Sequence, residues 1–317
     1  STPENWEALV VNTHSEGGVI AKIGAFRKAS VELRKLIRDS NIDLGHIHVT
    51  HGFSWWRKLR IIKRLERHGV PMVIHIHSGK FQKFCSGFAG NSVKSNLGKG
   101  GRNVVILEER WRDLLKGWIP EDSLVIHNSS SPRIIRKSKK INGAIKLLHL
   151  SRDSPGKGHD FSIKILEELL AMGVEARLIM TGITAKGRFD QSLPVEGLGW
   201  VSLEARDKLL GEADFLLSPS EFEGSSMSII EAMVIGLPAL VSKASSETVG
   251  DERCVIGLEE PREWAEKIKE FSQPEEYLDL VSSMREQSSR FHSSETTKKW
   301  GTSYNSLVLS NDSNRLG

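Results

Sequence analysis

The sequence predicts an α/β protein of two doubly wound, Rossmann-like domains with a cleft between them. Three observations carry that reading. Short apolar strands alternate with helical stretches along most of the chain, the pattern of parallel sheets with helices on both faces. The alternation restarts after a polar basic stretch, "RIIRKSKKING" (133–143). The 317 residues are enough for two domains, each with its own core.

In the first half, "EALVVNTH" (7–14), "DLGHIHV" (43–49), "PMVIHIH" (71–77), "RNVVILEE" (102–109) and "SLVIHN" (123–128) read as strands. Between them 22–40, 54–69 and 110–118 carry helical spacing. After the basic linker, "AIKLLHLS" (144–151) is a strand, 160–173 a helix, "EARLIMTG" (175–182) a strand and "VEGLGWV" (195–201) another. A helix at 203–212, the strand "DFLLSPS" (214–220), a helix from "SSMSIIEAMVIG" and the strand "PALVS" (238–242) follow. Helices over 261–272 and 274–291 end the pattern, and "GLP" (236–238) supplies a stop signal. The expected domains are 1–138 and 139–291, with a last helix at about 292–317 returning to the first.

Composition is that of a soluble globular chain, 38% hydrophobic and 26% charged. No apolar run approaches the ~18 residues of a membrane span, and no signal peptide opens the sequence. Cys85 and Cys254 are far apart and form no metal or redox motif, so buried or incidental thiols in a cytoplasmic protein are expected. Net charge is +4, but residues 1–150 hold 26 Lys and Arg against 12 Asp and Glu (+14), and residues 151–317 hold 18 against 28 (−10). A basic half suits an anionic partner, although two domains can also differ merely in solvated surface charge.

Two segments carry candidate chemistry. In "EFEGSSMSIIEAM" (221–233), Glu223 falls in a strand-to-helix loop and Glu231 lies about two turns inside the helix. Eight helical residues span roughly 12 Å, about the length of a sugar plus a diphosphate. The helix N-terminus between them is an anion site. Glutamates eight apart also arise by chance on helix surfaces, so the pair means little alone. The loop "SRDSPGKGHD" (151–160) adds Arg152 and Lys157 on a Gly- and Pro-rich turn. A guanidinium and an ammonium at that spacing suit a diphosphate. Both loops open on the carboxyl edge of one parallel sheet, where such folds bind ligands.

With these residues in place the chain resembles the retaining GT-B glycosyltransferases of the family-4 type, the glycosyl transferases group 1. The resemblance rests on "LLHLSRDSPGKGHDFSIKILEEL", "LGWV" and "ADFLLSPSEFEGSSMSIIEAMVIGLPALVS", with "HIH…SWWRK…VPMVIHIHSG" in the first half. It implies that Arg152 and Lys157 bind the donor diphosphate and stabilise its developing charge. It implies that Glu223 contacts the transferred sugar, that Glu231 contacts the ribose, and that backbone N–H groups of Gly224, Ser225 and Ser226 hold sugar and phosphates. Many relatives have a second glycine where Ser226 stands. The "LGWV" segment (198–201) is expected near the base. The resemblance further implies a nucleotide diphosphate sugar as donor, UDP- or GDP-linked, and no cofactor.

Five of the histidines, His46, His48, His51, His75 and His77, fall in a short stretch of the first half. Strand residues i and i+2 share a face, so His46/His48 and His75/His77 could form a zinc-like cluster. Strand alternation explains the positions without a metal, and none is expected; no Asp-x-Asp motif occurs. By resemblance His77 is the site histidine, bonding the sugar. The helix "SWWRKLRIIKRLERHG" places Trp55, Leu59, Ile62 and Leu65 on one side and Arg57, Lys58, Arg60, Lys63, Arg64 and Arg67 around the rest. It reads either as a sheet-covering helix with a basic outer face or as a surface for an anionic membrane and a lipid-linked acceptor. Nucleic acid is not expected.

The chain opens at "STPENWEALVVNTH", which resembles the family's second strand, so either a first βα unit is missing or the family's Gly-rich loop is rebuilt here. Gly17 and Gly18 then form a substitute loop toward the donor. The implied function is hexose transfer to a hydroxyl acceptor, a saccharide or lipid-linked saccharide in cell-surface polysaccharide synthesis, at the inner face of the membrane. The alternatives are a non-catalytic nucleotide-sugar-binding subunit or fragment and, less favoured, a sugar-nucleotide epimerase.

Overall fold

The apolar runs of the first half become a parallel sheet whose strands are extended and mostly buried on both faces. The computed structural model describes residues 2–13, 15, 18–39, 42–136, 141–184, 189–190 and 192–316. The chain divides into two units, Ser1–His127 with Ser294–Gly317, and Asn128–Ser293. The expected strand at 7–14 is not formed over its described residues. Residues 7–13 are irregular, and Leu9 and Val10 point into solvent, 56% and 74% exposed. An apolar run makes a strand only where a neighbour takes its backbone groups, and this one has none in the sheet.

In the first unit α1 (Val19–Asp39) leads to β1 (Gly45–Val49), α2 (Phe53–Arg67), β2 (Met72–Ile76), α3 (Phe81–Cys85) and α4 (Gly90–Leu97). Then come β3 (Arg102–Ile106), α5 (Arg110–Leu114) and β4 (Leu124–Val125). The strand order is β1-β2-β3-β4, all parallel, with His48 opposite His75 across β1 and β2. Helix α2 buries Trp55, Leu59, Ile62 and Leu65, the stripe that its 3–4-residue spacing predicts. Each such side chain taken from water contributes roughly 1.5–3 kcal/mol. Helices α3 and α4 have no counterpart in the sequence reading. They are short and polar outside, but they bury Phe81, Cys85, Val93 and Leu97. The C-terminal helix Ser293–Leu316 lays Leu307, with Trp300 and Tyr304, against Val73, Val105 and Ile126 of this unit.

The second unit runs β5 (Ile145–His149), α6 (His159–Ala171), β6 (Ala176–Met180), β7 (Val195–Gly197), α7 (Leu203–Glu212), β8 (Phe215–Ser218), α8 (Met227–Val234) and β9 (Ala239–Val241). The short α9 (Ser246–Val249) precedes α10 (Pro261–Phe271) and α11 (Pro274–Ser288). All five strands are parallel, in the order β7-β6-β5-β8-β9. The chain winds outward from β5 in one direction, then crosses to β8 and winds in the other. The reversal between β5 and β8 makes a crevice at their carboxyl ends, the ligand position of doubly wound sheets.

Residues 128–136 pack with this second unit, ahead of the expected boundary at 138/139. Buried Arg136 fixes them: it donates to the carbonyls of Gly236 and Ala213 and, at 2.5 Å, to the Tyr277 hydroxyl. Both cysteines are free and buried, and burial pushes each thiol up to about 12. No helix among the described residues is long and apolar enough to cross a membrane.

Candidate functional site

The loops after β5 and β8 are pressed together at the reversal of the second sheet. Gly158 closes the first loop as the residue before α6, at φ 79°, with the Pro219 carbonyl lying where its Cβ would be. Only glycine meets both conditions. The Glu221 N–H donates to the Gly156 carbonyl at 2.9 Å and ties the loops a second time. Lys157 Nζ is thereby brought to 2.5 Å from Glu223 Oε1, with the two side chains only 19% and 10% exposed. Arg152, Lys157, Glu223, Ser225 and Ser226, together with Arg206 of α7, line one cavity of about 230 Å³. Gly224 sits in the same loop between Glu223 and Ser225. Three cations, a paired carboxylate and a helix N-terminus suit a ligand that is anionic at one end and rich in hydroxyls at the other.

Glu231 does not line this cavity; it reaches it through a partner. Its neighbours on α8, Ile229, Ile230, Ala232 and Met233, are all buried, and Glu231 itself is 7% exposed. A buried carboxylate must be paired. Arg206 makes a close ion pair with Oε2, and Arg133 Nη1 approaches Oε1 at 3.4 Å. Arg133 in turn grips Asp207 at 2.6 Å, which lowers the Asp207 carboxyl and raises the guanidinium. Sequence reading missed Arg133 and Arg206. The first sits in what reads as a linker and the second in an ordinary amphipathic helix. The signal was Glu231 itself, a charge in the apolar run "SIIEAMV" that requires a cation nearby.

A buried histidine pair supports the Arg152 loop from below. His149, the last residue of β5, bonds the Ser162 hydroxyl through Nδ1 (2.7 Å) and the Ser151 hydroxyl through Nε2 (2.9 Å). The His159 ring stacks on it at 4.2 Å and donates from Nε2 to the Thr181 carbonyl at 3.0 Å. Burial holds His149 well below the usual imidazole range, followed in effect by neighbouring His159 and Lys157. The "LGWV" segment does not line the cavity: Leu198 and Gly199 donate to the carbonyls of Met180 and Ile183, and Trp200 is 83% exposed.

The remaining candidates belong to the first unit. His77 follows β2, half-buried, with Nε2 2.7 Å from His48 Nδ1. Burial, then His48, lowers its pKa to about 4. His46 is lowered to about 3 by burial and then by His48 and His77, and His75 lies well below the usual range for the same reasons. Lys58 of α2 is lowered to about 8 by burial and then by Arg57. Gly18 is exposed ahead of α1, where its carbonyl accepts from the Lys22 N–H; Gly17 lies outside the described residues.

Residues 144–273 match the family model described as Glycosyl transferases group 1. A stretch of 109 residues is 35% identical to the GDP-mannose-dependent alpha-(1-6)-phosphatidylinositol dimannoside mannosyltransferase of Mycobacterium tuberculosis, covering 33% of this chain and 29% of that protein. The chain thus matches under a third of the length of the curated relative. Two similar solved structures share the fold at low identity. Sucrose-phosphate synthase from Thermosynechococcus elongatus has a TM-score of 0.71 at 16% identity over 91% of this chain and 79% of its own. Anabaena HepE in complex with UDP-glucose has a TM-score of 0.69 at 16% identity over 87% and 81%. The lysine–glutamate pair and its sheet reversal fall inside the segment that is similar to the Glycosyl transferases group 1 model, and the fold is the two-domain α/β GT-B fold of the similar solved structures.

Proposed function

We propose that the chain is a retaining, metal-independent glycosyltransferase that moves a hexose from a nucleotide diphosphate sugar to a hydroxyl acceptor. The observation that carries this reading is the Lys157–Glu223 pair at the reversal of the second sheet, in one cavity with Arg152, Ser225 and Ser226. Lys157 and Arg152 neutralise the diphosphate, and their attraction grows as the bond from the sugar carbon to the phosphate oxygen breaks and charge gathers on the leaving group. With the diphosphate present Lys157 gains a second anionic partner, and Glu223 turns its carboxylate to the sugar hydroxyls. Glu231, braced by Arg133, accepts from the ribose hydroxyls when Arg206, which lines the cavity, turns from it to the bound donor. His77 bonds the transferred sugar. Attack and departure occur on one face: the acceptor oxygen bonds the sugar carbon, and its proton goes to the departing diphosphate.

The donor base is uracil or guanine, and the GDP-mannose dependence of the mycobacterial relative makes GDP the first to try. The acceptor is a lipid-linked saccharide for a cell-surface polysaccharide. Two exposed aromatics, Phe53 and Phe88, stand on the unit that holds the basic helix α2, and they support peripheral contact with an anionic membrane. The test is thermal stabilisation by UDP, GDP, ADP and their sugar conjugates, on the natural chain and on Glu231→Gln. A ligand of the native state raises its stability by mass action. The expected result is a shift with one nucleotide series, weakened in the variant. No shift with any series overturns the donor assignment, and binding without transfer or donor hydrolysis favours a binding subunit.

A further inference from the structure

The first unit holds a second cluster of chemistry that the transfer reading does not use. His46 and His48 of β1 and His75 of β2 project from one face of the sheet, and each offers a ring nitrogen within 4.8 Å of the other two. His46 Nε2 is already 3.3 Å from His75 Nδ1. Zinc–nitrogen bonds of ~2.0–2.1 Å in a tetrahedron set ligand nitrogens about 3.3 Å apart. One edge of the figure is therefore formed, and the widest pair closes by about 1.5 Å, within reach of imidazole rotation.

Two further observations favour an ion over a stack of imidazoles. The other nitrogen of His46 is held at 2.6 Å by the Tyr304 hydroxyl. That is the outer-shell bond that fixes the ring and tautomer of a metal-binding histidine. The Trp300 ring, 4.6 Å from His46 and 5.0 Å from His75, covers the cluster with apolar surface.

We propose that His46, His48 and His75 form a site for a borderline-soft divalent ion of the zinc class, with a fourth position left to water or an anion. Imidazole donors without carboxylates select zinc, copper, nickel or cobalt over magnesium or calcium. Lys58 lies near enough to act on His48, so affinity is lower than in a closed structural site. His77, bonded to His48, becomes an outer-shell group. The site lies in the first unit and does not depend on the donor reading.

The test uses the full chain stripped of metal and titrated with Zn²⁺ by calorimetry, and with Co²⁺ by visible absorption. The expected result is a single site, imidazole-type cobalt bands, and Zn²⁺ stabilisation against heat. Binding is expected to weaken at least tenfold in His48→Asn and in His46→Asn. His48 is exposed and His46 half-buried, so the first variant keeps the test valid if the second fails to fold. His68→Asn, an exposed histidine of the same unit, is expected to bind as the natural chain does. No binding at sub-millimolar Zn²⁺, or equal binding in His48→Asn and His68→Asn, overturns the site.

Discussion

Gly158→Ala tests the close approach of the two site loops, and Gly173→Ala supplies its control at the other end of α6. Both glycines are left-handed, at φ 79° and 72°. At Gly173 an added Cβ meets nothing within 4 Å, so alanine adds backbone strain alone. That strain is about 1–2 kcal/mol, partly offset by the stiffer unfolded chain. At Gly158 the same Cβ runs into the Pro219 carbonyl, with Pro219 Cγ at 2.8 Å. Most of those atoms are backbone, so the loop must move. Overpacking adds about 1–3 kcal/mol, and the expected total is about 2–4 kcal/mol. For a unit of this size each kcal/mol lowers Tm by about 2–4 °C. Calorimetry should therefore separate Gly158→Ala from Gly173→Ala by several degrees. Nucleotide-induced stabilisation should weaken only in Gly158→Ala, because only that change parts Lys157 from Glu223. Equal losses in the two variants would refute the argument from loop contact.

Further outcomes follow from the charges. Lys157→Met and Glu223→Gln should each lower transfer by about 10²–10³-fold, and a stability cycle should find the double variant less damaged than the sum. Arg206→Ala should cost about 1–3 kcal/mol by leaving Glu231 with its more distant arginine, and adding Glu231→Gln should restore part of it in urea melts. The histidine cluster sets an acid limit. The folded chain holds His46 near 3 and His77 near 4 against 6.5 in the unfolded chain, so the unfolded chain binds more protons below about 6.5. Stability is then full above that value and falls as the pH drops toward 4 and 3, by about 1.4 kcal/mol per pH unit for each proton. Urea midpoints between about pH 7 and 5 that are flat, or no flatter in His75→Gln, would sink this account.

Much of the second unit was legible because its strands are short apolar runs with turn signals at both ends, as in "IKLLH" and "FLLS". The loops carrying Arg152, Lys157 and Glu223 follow from those strands, since in a parallel sheet both must open on the same edge. What was not legible depends on tertiary partners. The run "EALVVN" has strand composition but no neighbour in the sheet, and α3 and α4 have too little periodicity to be read before their burial is known. Arg133 and Arg206 are distant in sequence from Glu231, and a single sequence does not encode such a pair locally. The histidines were visible as alternation, but their convergence under Tyr304 and Trp300 appears only once β1, β2 and the last helix are assembled.

The placement of that last helix has a consequence for synthesis. The second unit is one continuous run, Asn128–Ser293, and all its strands have left the ribosome before the final helix is translated. The first unit is not complete until Ser294 onward arrives, although its four strands are made first. In the interval Val73, Val105 and Ile126 lack Leu307, and His46 lacks Tyr304. A nascent chain stalled in that window presents an uncovered sheet face to chaperones. Release from them should track the emergence of Trp300–Leu307, so a stop codon placed just before Trp300 should yield a protein with a folded second unit and a first unit that is readily proteolysed.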